Sequence, residues 1–254
     1  MFVPLMTILA WAGAPLAPIG QQEMRSTVTV SRPCADDCPD GNITFGAGEI
    51  VDRRPDGTLV VVTARHVVED SKALEVFVRN GATPGIGFDA FAQTGLAHRA
   101  TLIAYAANVD LALVAFAPTG RDDYTLAPIA TDDIKAAPVP GVVIGDPNGS
   151  LWTVSPYTFL ESQATTFDFD CHTCGPGDSG GGVFNANGEL LGIVVQQRVE
   201  DEDETERTSE FQAISLAELR MFLNIAGTGR SLTWDSAAPL SSAWKRFDAL
   251  REAP

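Results

Sequence analysis

The feature that most constrains this chain is a rhythm of short β-branched runs separated by turn residues, which recur from Asn42 onward about every ten residues. Such a rhythm is typical of an all-β fold, and the 23 glycines and 16 prolines supply the turns that it needs. The sequence 53–57 contains Pro-Asp-Gly and predicts a hairpin turn. The predicted strands are 44–51, 58–63, 74–78, 100–104, 111–116, 142–144, 152–159, 165–169, 190–196 and 211–214.

One helix is predicted after the last of these strands. Ser215 and Glu218 form a capping box, the apolar residues that follow fall on one helical face, and Gly227 is a natural stop. Beyond it, aromatic and apolar residues recur every three positions in the segment 244–250. We expect a short helix there that packs on the body of the protein, with a partner-binding helix as the alternative.

Length and charge limit the possible functions. A chain of 254 residues is long enough for one large β-domain or for two barrels of about 100 residues each. With 17 basic and 33 acidic residues the net charge is −16, which repels phosphate backbones and anionic lipid head groups. Nucleic acid is therefore not expected as a partner.

The N-terminal segment is uncharged and largely apolar. No charged side chain precedes Glu23, and the stretch from Leu5 to Ala17 is similar to the hydrophobic region of a secretory signal. We predict a signal peptide over residues 1–20, a secreted or periplasmic protein, and no stable membrane insertion once the signal is removed. An uncleaved anchor and a misread start are the alternatives.

The four cysteines form two close pairs, Cys34 with Cys38 and Cys171 with Cys174. In an exported chain an even number of cysteines favours structural disulfides. A structural zinc held by all four sulfurs is the alternative, because pairs at this spacing can close a tetrahedral site. Apart from this and the acidic run below, no metal or cofactor is predicted.

A run of acidic residues extends from Glu200 to Glu206. The simplest interpretation is a solvated loop. Calcium binding and steering of basic substrates are the alternatives, although no EF-hand spacing is present.

The strongest local motif is Gly-Asp-Ser-Gly-Gly at 177–181. Its glycines allow a tight turn that leaves Ser179 approachable, and the N–H groups of Gly177 and Ser179 could converge on a developing oxyanion. A serine nucleophile needs a base, so the histidines decide between hypotheses.

All three histidines, His66, His98 and His172, precede Ser179. This order excludes an α/β-hydrolase elbow, whose histidine follows the serine. His66 ends an apolar strand, and Asp110 stands just before another one. An acid flanked by apolar residues raises the question of which group pairs with it.

Three sequence blocks in this order resemble those of the trypsin-like (chymotrypsin-fold) serine proteases, in their shorter-looped bacterial branch. Thr-Ala-Arg-His at 63–66 is similar to the family's T-A-x-H block, 110–113 to its D-I-A-L block, and 177–181 to its G-D-S-G-G block. The resemblance covers residues 43–226.

The resemblance implies two six-stranded antiparallel β-barrels with a C-terminal helix. The first barrel, expected over 21–118, would carry His66 and Asp110; the second, over 119–226, would carry Ser179; the tail is 227–254. The implied activity is that of a serine endopeptidase, with His66, Asp110 and Ser179 as the triad and the amides of Gly177 and Ser179 as the oxyanion hole. The alternative is a catalytically silent protein of this fold that binds peptides.

The resemblance also predicts the substrate pocket. Thr173 stands where trypsin has the aspartate at the bottom of its pocket, which selects basic residues. The bottom of the pocket is therefore expected to be neutral, and we expect cleavage of protein or peptide substrates after small or medium uncharged residues. His172, between two cysteines, could contact substrate or a metal, or lie in an ordinary loop. The expected pocket residues are Thr173, Cys174, Pro176, Val195, Gln196 and Gln197.

Three departures from the family pattern stand out. The Ile-Val-Gly-Gly start of trypsin zymogens is absent. In trypsin the N-terminus that is freed at this start pairs with the aspartate at the position of Asp178, so the resemblance predicts no partner for Asp178 here. Gly182 occupies a position where proline is usual in trypsin relatives, and Pro176 precedes the oxyanion glycine. Activation by a single internal cut is therefore not predicted, and Pro176 suggests a preset loop.

Overall fold

The computed structural model describes residue 20 and residues 23–32, 44–69, 71, 73–94, 96–132, 141–199 and 207–226. Four sequence predictions lie outside these residues: the signal segment up to residue 19, the Cys34 and Cys38 pair, the acidic run from Glu200 to Glu206, and the tail 227–254.

Within the described residues the chain is mostly strand, with three α-helices and two single turns of 3-10 helix. The helices are α1 (Arg65–Val68), α2 (Phe88–Ala92) and α3 (Leu216–Ile225). The strands are β1 (Thr27–Arg32), β2 (Thr44–Arg53), β3 (Leu59–Thr63), β4 (Leu74–Val78), β5 (Ile86–Gly87), β6 (Ala97–Tyr105), β7 (Ala112–Phe116), β8 (Gly141–Gly145), β9 (Ser150–Leu151), β10 (Thr153–Ser162), β11 (Thr166–Asp170), β12 (Gly182–Asn185), β13 (Leu190–Val199) and β14 (Arg207–Ile214).

Twelve of these strands close into two antiparallel barrels of six, which confirms the predicted fold class. The first barrel has the strand order β1-β2-β3-β7-β6-β4, and the second has the order β10-β11-β14-β13-β12-β8. The two-residue strands β5 and β9 form a separate small sheet.

The core of the first barrel follows from β3 and β7, whose sequences Leu-Val-Val-Val-Thr and Ala-Leu-Val-Ala-Phe are buried along their full length. Strands that bury both faces read as continuous apolar runs instead of alternating ones. Aromatic rings fill the second barrel, where Phe169 packs against Phe211 and Tyr157. Two rigid closed sheets thus flank the loops that carry the candidate site.

The connections follow the predicted turn and cap chemistry. At the β2–β3 hairpin the Gly57 N–H donates to the Arg54 carbonyl over 2.9 Å, with Gly57 at a φ of +88°. Helix α3 begins as predicted, because the Ser215 side chain accepts a hydrogen bond from the Glu218 N–H. No helix in the described part of the chain is long and apolar enough to cross a membrane.

Several elements were not predicted: the strands β1, β5, β9 and β12, the helices α1 and α2, and the two 3-10 turns. Strand β1 alternates threonine and valine, a pattern that predicts one exposed face. Nearly all of the strand is buried on both faces, so the pattern did not indicate its environment. Strand β12 begins inside the glycine-rich motif, where side chains give no strand signal. His66 lies in the short helix α1, not at the end of a strand, because the chain turns directly after Thr63.

Candidate active site

Strand register brings His66 and Asp110 to the same end of the first barrel. Thr63 at the end of β3 pairs with Ala112 at the start of β7, so the residues just after β3 and just before β7 are neighbours. Asp110 accepts two hydrogen bonds from one residue: its Oδ2 lies 2.5 Å from His66 Nδ1, and its Oδ1 accepts the His66 backbone N–H over 2.9 Å. This double contact fixes the ring relative to the carboxylate.

The surroundings keep Asp110 ionised. Burial disfavours the charged carboxylate, but the hydrogen bonds and charge of His66, together with the charge of Arg65, outweigh burial and lower the pKa of Asp110. The Arg65 guanidinium also donates to the carbonyls of Ala106 and Ala107, in the loop that leads to Asp110. The His66 side chain is 43% exposed, so the ring is partly open to solvent.

The Ser179 turn requires glycines on both sides. Gly177 and Gly180 have φ values of +104° and +87°, a region that residues with a Cβ rarely adopt. A Cβ on Gly177 would lie 2.2 Å from the Asp146 carbonyl oxygen, and one on Gly180 would lie 2.0 Å from that of Ala47. The backbone therefore approaches two neighbouring segments more closely than any other residue would allow.

Two backbone N–H groups of the serine turn, those of Gly177 and Ser179, are available as hydrogen-bond donors. Among the residues that the structure describes, no acceptor takes the N–H of Gly177 or that of Ser179. Unpaired N–H groups at a partly exposed turn can donate to a bound oxyanion.

The serine turn packs directly on the first barrel. The Ala47 N–H of β2 donates to the Ser179 carbonyl over 2.8 Å. A Cβ on Gly46 would lie within 3 Å of both that carbonyl oxygen and the side chain of Val67, the neighbour of His66. Within the described part of the chain no hydrogen bond joins Ser179 Oγ to the His66 ring.

Asp178 has a hydrogen-bond partner within its own turn. Its buried carboxylate accepts the Gly175 N–H over 2.8 Å, across the Pro176-Gly177 bend. Burial raises the pKa of Asp178 to about 7. Burial, with a smaller contribution from the Asp178 carboxyl, raises the pKa of the neighbouring Asp146 to about 8.

The predicted pocket segment is closed by a disulfide between Cys171 and Cys174. His172 and Thr173 lie exposed inside the four-residue ring, and His172 Nε2 lies 3.5 Å from Asp170 Oδ2. The described residues contain no group of three or more side chains suited to hold a metal ion.

The remaining predicted pocket residues differ in exposure. Val195 on β13 is buried, while Gln196 beside it and Pro176 at the bend are exposed. Thr173 is exposed in the loop that the disulfide closes.

Two site residues escaped sequence analysis. Glu49 and Asp146 are fully buried acids near the serine turn. Glu49 stands between apolar residues of β2, as Asp110 does before β7. The argument that an acid among apolar residues needs a buried partner would therefore have pointed to Glu49 as well.

Two closed six-stranded barrels, with a histidine–aspartate pair on one and a glycine-flanked serine turn on the other, define the architecture of chymotrypsin-fold proteases. The chain belongs to the trypsin-like peptidase domain family, whose family model matches residues 46–193.

Solved structures agree on the fold. A serine endoprotease from Yersinia pestis superposes with a TM-score of 0.65 at 19% identity, over 86% of this chain and 68% of that one. The active form of a protease from M. tuberculosis gives a TM-score of 0.61 at 20% identity, over 87% and 86%. No curated protein sequence matches significantly.

Proposed function

We propose that this protein is a serine endopeptidase that hydrolyses peptide bonds through an acyl-enzyme, with His66, Asp110 and Ser179 as its triad. The observation that carries the proposal is the double hydrogen bond between Asp110 and His66. It holds the Nδ1 proton on the acid side of the ring, so that Nε2 is left as a base facing away from Asp110.

The reaction uses these groups in order. Ser179 Oγ attacks the scissile carbonyl carbon while its proton passes to His66 Nε2. The tetrahedral intermediate collapses, the C–N bond breaks, and Nε2 returns the proton to the leaving amine. Water then attacks the acyl-enzyme by the same route and releases Ser179. Asp110 stabilises the imidazolium formed in each half.

The unpaired amides of Gly177 and Ser179 are suited to stabilise the oxyanion. They lie on a turn whose conformation its glycines permit and whose position the Ala47 N–H fixes through the Ser179 carbonyl, so donors aligned in advance need little reorganisation when charge develops. The hydrogen bond from the Gly175 N–H to the Asp178 carboxyl group also stabilises this turn.

The substrates follow from the family and the pocket. Protein or peptide substrates suit a trypsin-like peptidase, and the neutral Thr173 favours cleavage after small or medium uncharged residues. The net charge of −16 attracts basic partners and disfavours nucleic acid. An exported enzyme, secreted or periplasmic, suits the disulfide at Cys171 and Cys174.

Active-site labelling tests the proposal. The full chain should react rapidly with a fluorophosphonate at Ser179, and Ser179→Ala should abolish labelling and lower peptide hydrolysis by at least about 10³-fold. Ser162→Ala, an exposed serine on β10, is the matched control and should label at the normal rate. A folded chain that neither labels nor hydrolyses a peptide library would favour the peptide-binding alternative.

A further inference from the structure

Glu49 lies in the middle of β2 with no exposed surface, where the first barrel meets the second. We propose that Glu49 is a positioning residue: it fixes the position of the turn that carries Ser179 relative to the His66 and Asp110 pair. This inference rests on the proposed function.

The carboxyl group of Glu49 joins the two barrels. Its Oε2 accepts the Ser26 hydroxyl over 2.9 Å, and its Oε1 accepts the Thr27 hydroxyl over 2.9 Å, both at the start of the first barrel. Its Oε1 also accepts the backbone N–H of Gly182 over 3.1 Å. Gly182 opens β12 of the second barrel, three residues after the nucleophile, so one side chain connects the barrels directly behind the serine turn.

A second contact lies one step away along the same strand. Ala47, two residues before Glu49, donates its N–H to the Ser179 carbonyl. The turn is therefore held at both ends, at Ser179 and at Gly182, by two positions of β2. Two contacts fix its orientation as well as its distance, which a single hydrogen bond would not do.

Glu49 is also connected to His66, through the pairing of β2 with β3. Glu49 pairs with Val62 of β3, and β3 runs directly into the helix that carries His66. One path from His66 to the turn that carries Ser179 thus passes through Glu49. A shift of this strand would move the two halves of the site relative to each other.

Gly182 is matched to this arrangement. A Cβ at this position would lie 2.8 Å from Glu49 Oε1 and 2.5 Å from a ring carbon of Phe184. A proline here would also lack the N–H that the carboxyl group accepts. The departure at Gly182 is explained by the acid that faces it.

Burying this carboxyl group is costly. No cation is among the groups that shift its ionisation, and burial raises the pKa of Glu49 to about 8, with a small further rise from Asp146. The hydroxyls of Ser26 and Thr27 and the Gly182 N–H oppose this rise. An apolar side chain would avoid the cost, so we infer that the polar contact is retained for its geometry.

The test compares Glu49→Leu with Glu49→Gln in the full chain. Glu49→Leu removes the acceptor and should slow fluorophosphonate labelling and kcat by at least tenfold, with KM within about twofold. The amide oxygen of Glu49→Gln can still accept the Gly182 N–H, so this variant should keep its rate within about threefold. If Glu49→Leu does not fold, Ser26→Ala, which frees one carboxyl oxygen, should give a smaller slowing in a folded chain.

Asp122→Leu is the matched control. Asp122 has only 2% of its side chain exposed and accepts hydrogen bonds from Asn80, in the loop after β4, and from Thr119, in the connection that follows β7. Its loss should lower the melting temperature but leave the labelling rate of the folded protein unchanged. A folded Glu49→Leu that labels at the normal rate, or equal slowing by Asp122→Leu, would overturn the proposal.

Hydrogen exchange separates this inference from the proposed function. Glu49→Leu should accelerate amide exchange in the segment 179–183 and leave 112–116 unchanged, whether or not the chain is an active enzyme. A wild-type chain that does not label would reject the protease proposal alone. Unchanged exchange at 179–183 would reject the positioning role of Glu49 alone.

Discussion

Asp110 carries more of the site than its single charge suggests. One carboxylate orients the His66 ring through Nδ1 and anchors the helix through the His66 backbone N–H. Arg65 adds charge from the same helical turn and ties it to the neighbouring loop. Orientation and electrostatics therefore depend on the same residue.

Replacement of Asp110 tests this double role. Asp110→Asn keeps the size of the side chain but favours the wrong tautomer of His66, so kcat should fall about 10⁴-fold. Steady-state hydrolysis of a cleaved peptide measures the loss. Asp123→Asn, at an exposed ion pair with Arg25, is the control and should leave kcat within about twofold. Similar rates for the two variants would contradict the role of Asp110.

At the scale of elements, the helix α3 shows how local sequence signals are realised. Ser215 accepts from the Glu218 N–H at its start, and Leu219 and Phe222 are buried on its inner face. The cap and the apolar face agree, which is why this helix could be predicted with its first residue correct.

Removal of the cap should weaken α3 measurably. Ser215→Ala leaves the Glu218 N–H without its acceptor and should lower the free energy of unfolding by about 1 kcal/mol. Urea unfolding measures the change, and Ser162→Ala on β10 should alter it by less than about 0.5 kcal/mol. An unchanged free energy of unfolding for Ser215→Ala would show that the cap contributes nothing.

The same comparison shows where sequence signals end. Strands β3 and β7 could be predicted because continuous burial leaves a continuous apolar run. Strand β12 could not, because Gly182 is chosen for the space and N–H that Glu49 needs and not for strand propensity. Motif order indicated His66, Asp110 and Ser179, but a long-range contact such as Glu49 to Gly182 leaves no local pattern.

At the scale of the whole molecule, three acids are buried between or beside the barrels. Burial raises the pKa values of Glu49 and Asp146 to about 8 and that of Asp178 to about 7. Between their ordinary values, near 4, and these raised values, the folded protein binds more protons than the unfolded chain. The contribution of these groups to stability is thus complete in acid and declines as the pH rises.

Stability should therefore decrease from pH 5 to pH 8. The growing negative charge of a protein with net charge −16 acts in the same direction. Urea unfolding at unit steps of pH measures the trend, and Glu49→Gln, which cannot ionise, should reduce its slope. The lowered pKa of Asp110 acts only at lower pH, where stability is lost as that carboxylate becomes protonated. A free energy of unfolding that rises steadily from pH 5 to pH 8 would contradict the prediction.

Each barrel is formed by one uninterrupted stretch of the chain, 27–116 for the first and 141–214 for the second. A peptide break in the connection between them would leave both sheets closed yet place the base and the nucleophile on separate polypeptides. Under the proposed function, hydrolysis by such fragments would require the two barrels to reassemble across the contacts that join β2 to the serine turn.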